Sequence, residues 1–175
     1  MFKTYDNLEN ATHAQPRVTA LLACQDNLMP ASWHMPISKW PFRYAVAIRE
    51  ENYTHQLIQE HKSFTLNFLP YEHYETVNLM GKLHGDMDDK LAESNLRVEN
   101  KDKYNNVLLE ASDFIYECVV CDTYKNGDHT IFIADVEKIH VNENQSNKPI
   151  LFSGRGRYAT QGDTSTANKR SLVWP

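Results

Sequence analysis

The residues with the clearest chemical potential lie between positions 27 and 54. They are Asn27-Leu28-Met29-Pro30-Ala31-Ser32-Trp33, then Met35-Pro36-Ile37-Ser38, a run from Arg43 to Arg49, and Glu50-Glu51-Asn52-Tyr53-Thr54. Small residues, one tryptophan and a hydroxyl at a helix start suit a planar ligand that carries a phosphate. A helix beginning near Thr54 would offer unpaired backbone N–H groups and the positive end of its dipole to an anion. The Thr54 hydroxyl and the Arg49 guanidinium could add hydrogen bonds to it. Ala45 and Ala47 share one face of the preceding strand and leave room above it, for a flat ligand or equally for a packed helix. Each feature also has a plain structural reading: Thr54 as a cap, Trp33 as a core side chain, Arg49 as a solvated cation. Glu50 and Glu51 oppose an anion at this place.

Other chemistries find little support. No G-x-G-x-x-G follows a strand and no P-loop pattern is present; Gly154-Arg155-Gly156 is too short. There is no G-x-S-x-G elbow. Eight histidines are many, but none pairs at helical spacing with a third ligand in view. His84-Gly85-Asp86-Met87-Asp88 resembles the start of a calcium loop without its required glycine and glutamate. No metal site is therefore expected. Cys118-Val119-Val120-Cys121 matches C-x-x-C, yet it lies in an apparent strand, where residues three apart face opposite ways. These cysteines read as small apolar groups.

At 175 residues the chain fits one domain, with a core over about 16–158, an N-terminal arm over 1–15 and a C-terminal extension over 159–175. A net charge of −5 argues against a nucleic-acid binder, which needs a basic surface. No apolar run reaches membrane-spanning length, and the polar first residues do not look like a signal peptide. A cytoplasmic protein with no membrane association is expected.

Strands are expected over residues 17–24, 35–38, 42–48, 63–69, 106–110, 113–124, 130–141 and 149–152. Residues 25–27 form a turn, residues 27–33 a loop, and Asn126-Gly127 a hairpin. Helices are expected from Asn52 or Thr54 to about His61, from Tyr71 to Met80 with Gly81 as the stop, and as a turn over 90–95. Residues 162–169 read as a polar loop, and Leu172-Val173-Trp174 as an apolar docking segment. The sum is mainly β with inserted helices, joined by antiparallel hairpins, most simply a barrel.

Five segments in order resemble the flavin reductase-like, FMN-binding split-barrel proteins, closest to the flavoredoxin-type branch. Asn27 to Trp33 resembles the family's Asn-x-Met-x-x-x-Trp loop. Arg49 to Thr54 resembles its phosphate segment, with Asn52 where a basic residue is common. Phe64-Thr65-Leu66-Asn67-Phe68 resembles its F-x-V-N strand. Met80-Gly81 with Asp88-Asp89-Lys90-Leu91 resembles its S-G…D-K-F stretch, and Gly127 to Ile133 its G-D-H-T-I-F-I return. The resemblance implies an FMN-binding split β-barrel with non-covalent FMN and a homodimeric assembly. It implies a flavin reductase or FMN-dependent oxidoreductase with NAD(P)H as electron donor. The same resemblance leaves open a flavoredoxin-type electron carrier with a protein partner, and a non-redox ligand binder. It places Asn27, Ala31, Ser32 and Trp33 at the ring, and Arg49, Asn52, Tyr53 and Thr54 around the phosphate. Asn67, Gly81 and Lys82 line the groove, Lys90 and His129 approach the flavin head as the reactive pair, and Tyr158 covers the ring. A lysine ammonium there would favour the anionic reduced flavin, and an imidazole could relay a proton, since its charge changes near neutral pH.

Overall fold

The computed structural model describes residues 16–162 together with Thr4. Most of the expected arm, the loop beyond residue 162 and the Leu172 to Trp174 segment lie outside the described residues.

The chain begins with β1 (Arg17–Val18) and β2 (Ala20–Cys24), turns at Gln25 and Asp26, and returns as β3 (Asn27–Ala31). β4 (His34–Lys39) and β5 (Phe42–Arg49) lead into α1 (Tyr53–His61), and β6 (Ser63–Phe68) follows. A 3-10 turn (Tyr71–His73) runs into α2 (Tyr74–Met80), and a loop then reaches α3 (Lys90–Ser94). The second half holds β7 (Val98–Lys101), β8 (Val107–Leu109), β9 (Phe114–Asn126), β10 (His129–Val141), β11 (Leu151–Phe152) and β12 (Tyr158–Ala159).

A seven-stranded sheet carries the order β3-β2-β6-β9-β10-β5-β4. It curls without closing, and among the described residues β3 and β4 are its two edges: a split barrel, as the sequence leads one to expect. Every neighbouring pair in it is antiparallel. β1, β11 and β12 form a second sheet, and β7 pairs with β8.

The alternation of β2 explains why all five of its residues are buried. Ala20, Leu22 and Cys24 point into the barrel with Val46, Phe64, Leu66 and Phe132. Leu21 and Ala23 point the other way, into a second core under α2 with Leu28, Val77, Met80, Leu109 and Ile150. A strand covered on both faces loses the apolar–polar alternation and becomes a continuous apolar run. Each large side chain removed from water there contributes about 1.5–3 kcal/mol.

Several expectations need correction. Residues 27–31 form a strand, not a loop, because the two-residue turn is tight: Gln25 takes a positive φ of 55°, and Asn27 then pairs with Cys24. Pro30 and Pro36 sit comfortably in β3 and β4 because both are edge strands, where one row of N–H groups is unused. β7 was not expected; all of its residues are exposed, so it carries no apolar alternation. Gly81 does end α2, but in a right-handed conformation with φ −75°, without a left-handed cap. The β9–β10 hairpin turns on Gly127 and Asp128, one residue later than Asn126-Gly127. Gly127 has φ +64°, which fits the first central position of a II′ turn. In β9, Cys121 occupies a bulge, the register passing from Val120 to Asp122 across Ala134 and Ile133. Cys118 is buried and Cys121, in the bulge, is exposed, so the two thiols sit in different surroundings.

Candidate functional site

Two joined hollows run along β3. The larger, about 580 Å³, lies between the start of α1, the end of α2 and the loop over residues 81–89. Asn27, Asn52, Tyr53, Thr54, Gly81 and Lys90 are in its wall. The smaller, about 170 Å³, is lined by Ala31, Ser32, Trp33, Arg49 and His129. Met29, Pro30 and Asn52 belong to both walls and form the neck between them.

The α1 end is built around one side-chain pair. Asn27 Nδ2 donates to Thr54 Oγ1 at 2.8 Å, tying the start of β3 to the first turn of α1. Asn27 Oδ1 is buried and has no partner. Asn52 stands at the N-cap, but its side chain makes no capping bond and turns instead towards Met29 Sδ at 3.6 Å. The amides of Tyr53 and Thr54 have no intrahelical acceptor, as at any helix start. The 81–89 loop closes over this end. Gly85 lies so near that a Cβ there would stand 2.1 Å from Asn27 Oδ1 and 3.1 Å from the Tyr53 ring.

Lys90 is 7% exposed, and its Nζ donates to the Met80 carbonyl at 3.0 Å. That bond ties the end of α2 to the start of α3 and so clasps the loop. Burial pushes the Lys90 ammonium below its ordinary pKa; Asp88 and Asp86 push the other way.

At the other end the Trp33 and His129 rings stack with centroids 4.7 Å apart and 20° between planes. Asp128 Oδ1 accepts from His129 Nδ1 at 2.6 Å, so the Nδ1 proton is fixed and Nε2 is left to the hollow. The same carboxylate receives Arg49 at 3.2 Å. The His129 hydrogen bond first, and then Arg49, hold the Asp128 carboxyl below its usual range. Glu50 is drawn aside by Lys125 at 2.9 Å, which offsets one of the two acidic charges beside the α1 start. Glu51 stays exposed.

The family model for the flavin reductase like domain matches residues 14–161. The chain belongs to the flavin reductase-like family. An uncharacterised protein of Archaeoglobus fulgidus is 28% identical over 150 residues, 85% of each chain. An FMN-binding protein from Thermus thermophilus superposes with a TM-score of 0.84 at 22% identity, covering 95% of this chain and 98% of that one. A flavoredoxin of Desulfovibrio vulgaris (Miyazaki F) superposes at 0.83 with 21% identity, covering 98% and 99%. At these identities the structural likeness is one of fold.

The residues that the family resemblance singles out divide into two groups. Asn27, Ala31, Ser32, Trp33, Arg49, Asn52, Tyr53, Thr54, Gly81, Lys90 and His129 all fall in the two hollows. Asn67, Lys82 and Tyr158 do not. Asn67 is fully buried in β6, where Nδ2 donates to Thr65 Oγ1 at 3.0 Å and Oδ1 accepts from Leu109 N at 2.9 Å. It ties β8 to the barrel. Lys82 is exposed on the loop. Tyr158 packs on Tyr74 and Phe152, and its hydroxyl reaches Asn78 at 3.5 Å.

Sequence reasoning missed three contributors. Gly85 was set aside with the failed calcium pattern. Asp128 was quoted within a motif without a role. Lys125 balances Glu50 only because the hairpin register brings it there.

Proposed function

We propose that this chain is a flavin-dependent oxidoreductase that holds FMN non-covalently across the two hollows. The observation that carries the reading is their continuity: an aromatic end at Trp33 and His129 joined through Met29 and Pro30 to a helix start at Tyr53. The residues present fit the group. A buried, unpartnered Asn27 Oδ1 can accept a hydrogen bond from a ribityl hydroxyl or ring N–H. The α1 amides and dipole suit a phosphate, and Lys125 offsets Glu50 beside them.

Flavin bound there would supply the redox chemistry, with NADH or NADPH as the proposed class of donor. The chain's own residues position and tune. Trp33 gives a flat wall. His129 holds a proton on Nδ1 under Asp128 and presents Nε2, which can take or give a proton as the flavin's charge changes. Lys90 places a cation in a buried setting, where it favours negative charge nearby more than it would in water.

We also infer a homodimer, supported by the apolar side chains exposed along β4, among them Met35 at 60% and Ile37 at 41%. No helix among the described residues is long and apolar enough to cross a membrane.

The test is an FMN titration of the purified chain, read by flavin fluorescence and absorbance, followed by NADH and NADPH oxidation under steady state. Saturable FMN binding with nucleotide turnover is expected. Binding without turnover, combined with reduction by a protein reductase, would assign the chain to electron transfer. A chain that takes up no flavin sinks the proposal.

A further inference from the structure

A separate hollow of about 340 Å³ opens where β2 and β9 begin and β6 ends. Thr19, His34, Tyr44, Phe68 and Tyr116 form its inner wall, and none of them lines the two hollows along β3. Its size lies within the range of small-molecule sites, roughly 300–1,000 Å³, and a barrel mouth is one of the places where such sites form.

The wall is aromatic and uses its polar groups in a defined way. Tyr44 and Tyr116 meet edge to face at 5.5 Å, Phe68 and Tyr116 at 5.1 Å, and His34 and Phe68 at 5.7 Å. His34 Nε2 lies 2.9 Å from the Val18 carbonyl, and a carbonyl only accepts, so Nε2 carries the proton. Nδ1 of the neutral ring is then an acceptor, and the Tyr44 hydroxyl, 2.9 Å away, donates to it. The Tyr44 proton is thereby committed inside the wall, and its oxygen keeps lone pairs that can only accept. Thr19 is 3% exposed, and its hydroxyl is buried with no partner. Each carboxylate oxygen of Asp113 accepts one hydrogen bond from Ser146, at 3.0 and 2.8 Å, which points the group towards the 146–149 side of the rim. The cavity therefore offers ring surfaces and an acceptor at Tyr44 on its inner side, with Asp113 and Lys148 at its rim.

We propose that this cavity is a second binding site, for a small uncharged monocyclic aromatic alcohol whose O–H donates to the Tyr44 oxygen while its ring packs against Phe68 and Tyr116. A carboxylate ligand is disfavoured, because it would meet the Asp113 carboxylate as well as the Lys148 ammonium at the rim and so gains no net charge complementarity. A ring without a donor would leave the Tyr44 oxygen dry and unpaired, which costs binding energy.

The test uses p-cresol and toluene as probes on the full chain, with binding read by calorimetry and ligand-observed NMR. p-Cresol is expected to bind at least about tenfold more tightly than toluene, equivalent to about 1.4 kcal/mol. The Tyr44→Phe variant keeps the ring and loses the acceptor, so p-cresol should fall to the toluene level. Saturating FMN should leave p-cresol binding unchanged. Equal affinity for the two probes, no binding of p-cresol, or its displacement by FMN would each overturn the proposal. The comparison of probes on the unaltered chain decides the matter even if the variant does not fold.

Discussion

Asn27 has one side chain and two tasks. Its Nδ2 bonds Thr54, and its Oδ1 is left without a partner in a buried position. A buried acceptor without a donor costs about 1–3 kcal/mol, so removing it need not destabilise the fold greatly, while removing the Nδ2 bond forfeits about 1 kcal/mol. Asn27→Ala should therefore change the denaturation midpoint little and weaken FMN binding about tenfold, equivalent to about 1.4 kcal/mol. Paired urea unfolding and fluorescence titration would check this. A loss of stability with unchanged FMN affinity would make Asn27 purely structural. A second prediction concerns pH. Burial holds His34 and His55 below the ordinary imidazole value of 6.5. Below that value the unfolded chain binds protons that the folded chain still refuses, so stability is complete above about pH 6.5 and falls as the pH drops through the depressed folded values. The urea midpoint should decrease between pH 7.5 and pH 5.5, and a variant carrying His34→Gln and His55→Gln should show a flatter dependence.

At the scale of elements, the β5–β10 pairing was legible. Tyr44, Val46 and Ile48 alternate with smaller or charged residues, and Gly127 marks the turn that sends the chain back. β3 was not legible, since a proline and a polar first residue disguise an edge strand. Nor was the role of the 81–89 loop. Its sequence holds Asp86, Asp88 and Asp89, which look like ligands, yet Asp88 accepts from His84 N at 2.7 Å and Asp89 caps α3 by accepting from Ala92 N at 3.1 Å. What positions the loop is a missing side chain. A Cβ on Gly85 would collide with the Asn27 amide and crowd the Tyr53 ring, and that contact depends on three elements meeting in space. Gly85→Ala should push the loop away from the α1 end, cost about 1–3 kcal/mol by overpacking, and lower FMN affinity. Gly162→Ala, with nothing within 4 Å, is the matched control and should alter neither quantity. Unchanged flavin affinity in G85A would show that the loop does not help hold the ligand.

Across the whole molecule, the split barrel leaves two strand edges, and they are treated differently. β3 is covered by α1, α2 and α3. β4 is not comparably shielded by the described residues, and with its flanking tryptophans it is among their most apolar exposed stretches: Trp33 is 40% exposed, Met35 60%, Ile37 41% and Trp40 95%. An exposed, apolar edge invites another chain, and a row of this kind is larger than scattered single exposures would explain. A second copy is the simplest partner, and it would also shield the mouth of the hollow at Trp33. The sequence could not reveal this edge, because which strands lie at the rim of the sheet depends on a strand order that local pattern does not show. Sedimentation equilibrium should find a dimer. A variant with Met35→Lys and Ile37→Lys should sediment as a monomer with an unchanged far-UV spectrum, because both positions are already solvent-facing and a charge there costs the folded monomer little. A monomeric unaltered chain, or a double variant that remains dimeric, would place the interface elsewhere or remove it. If flavin affinity falls along with the dimer, the partner copy completes the Trp33 end of the site; if it does not, the two hollows of one chain suffice.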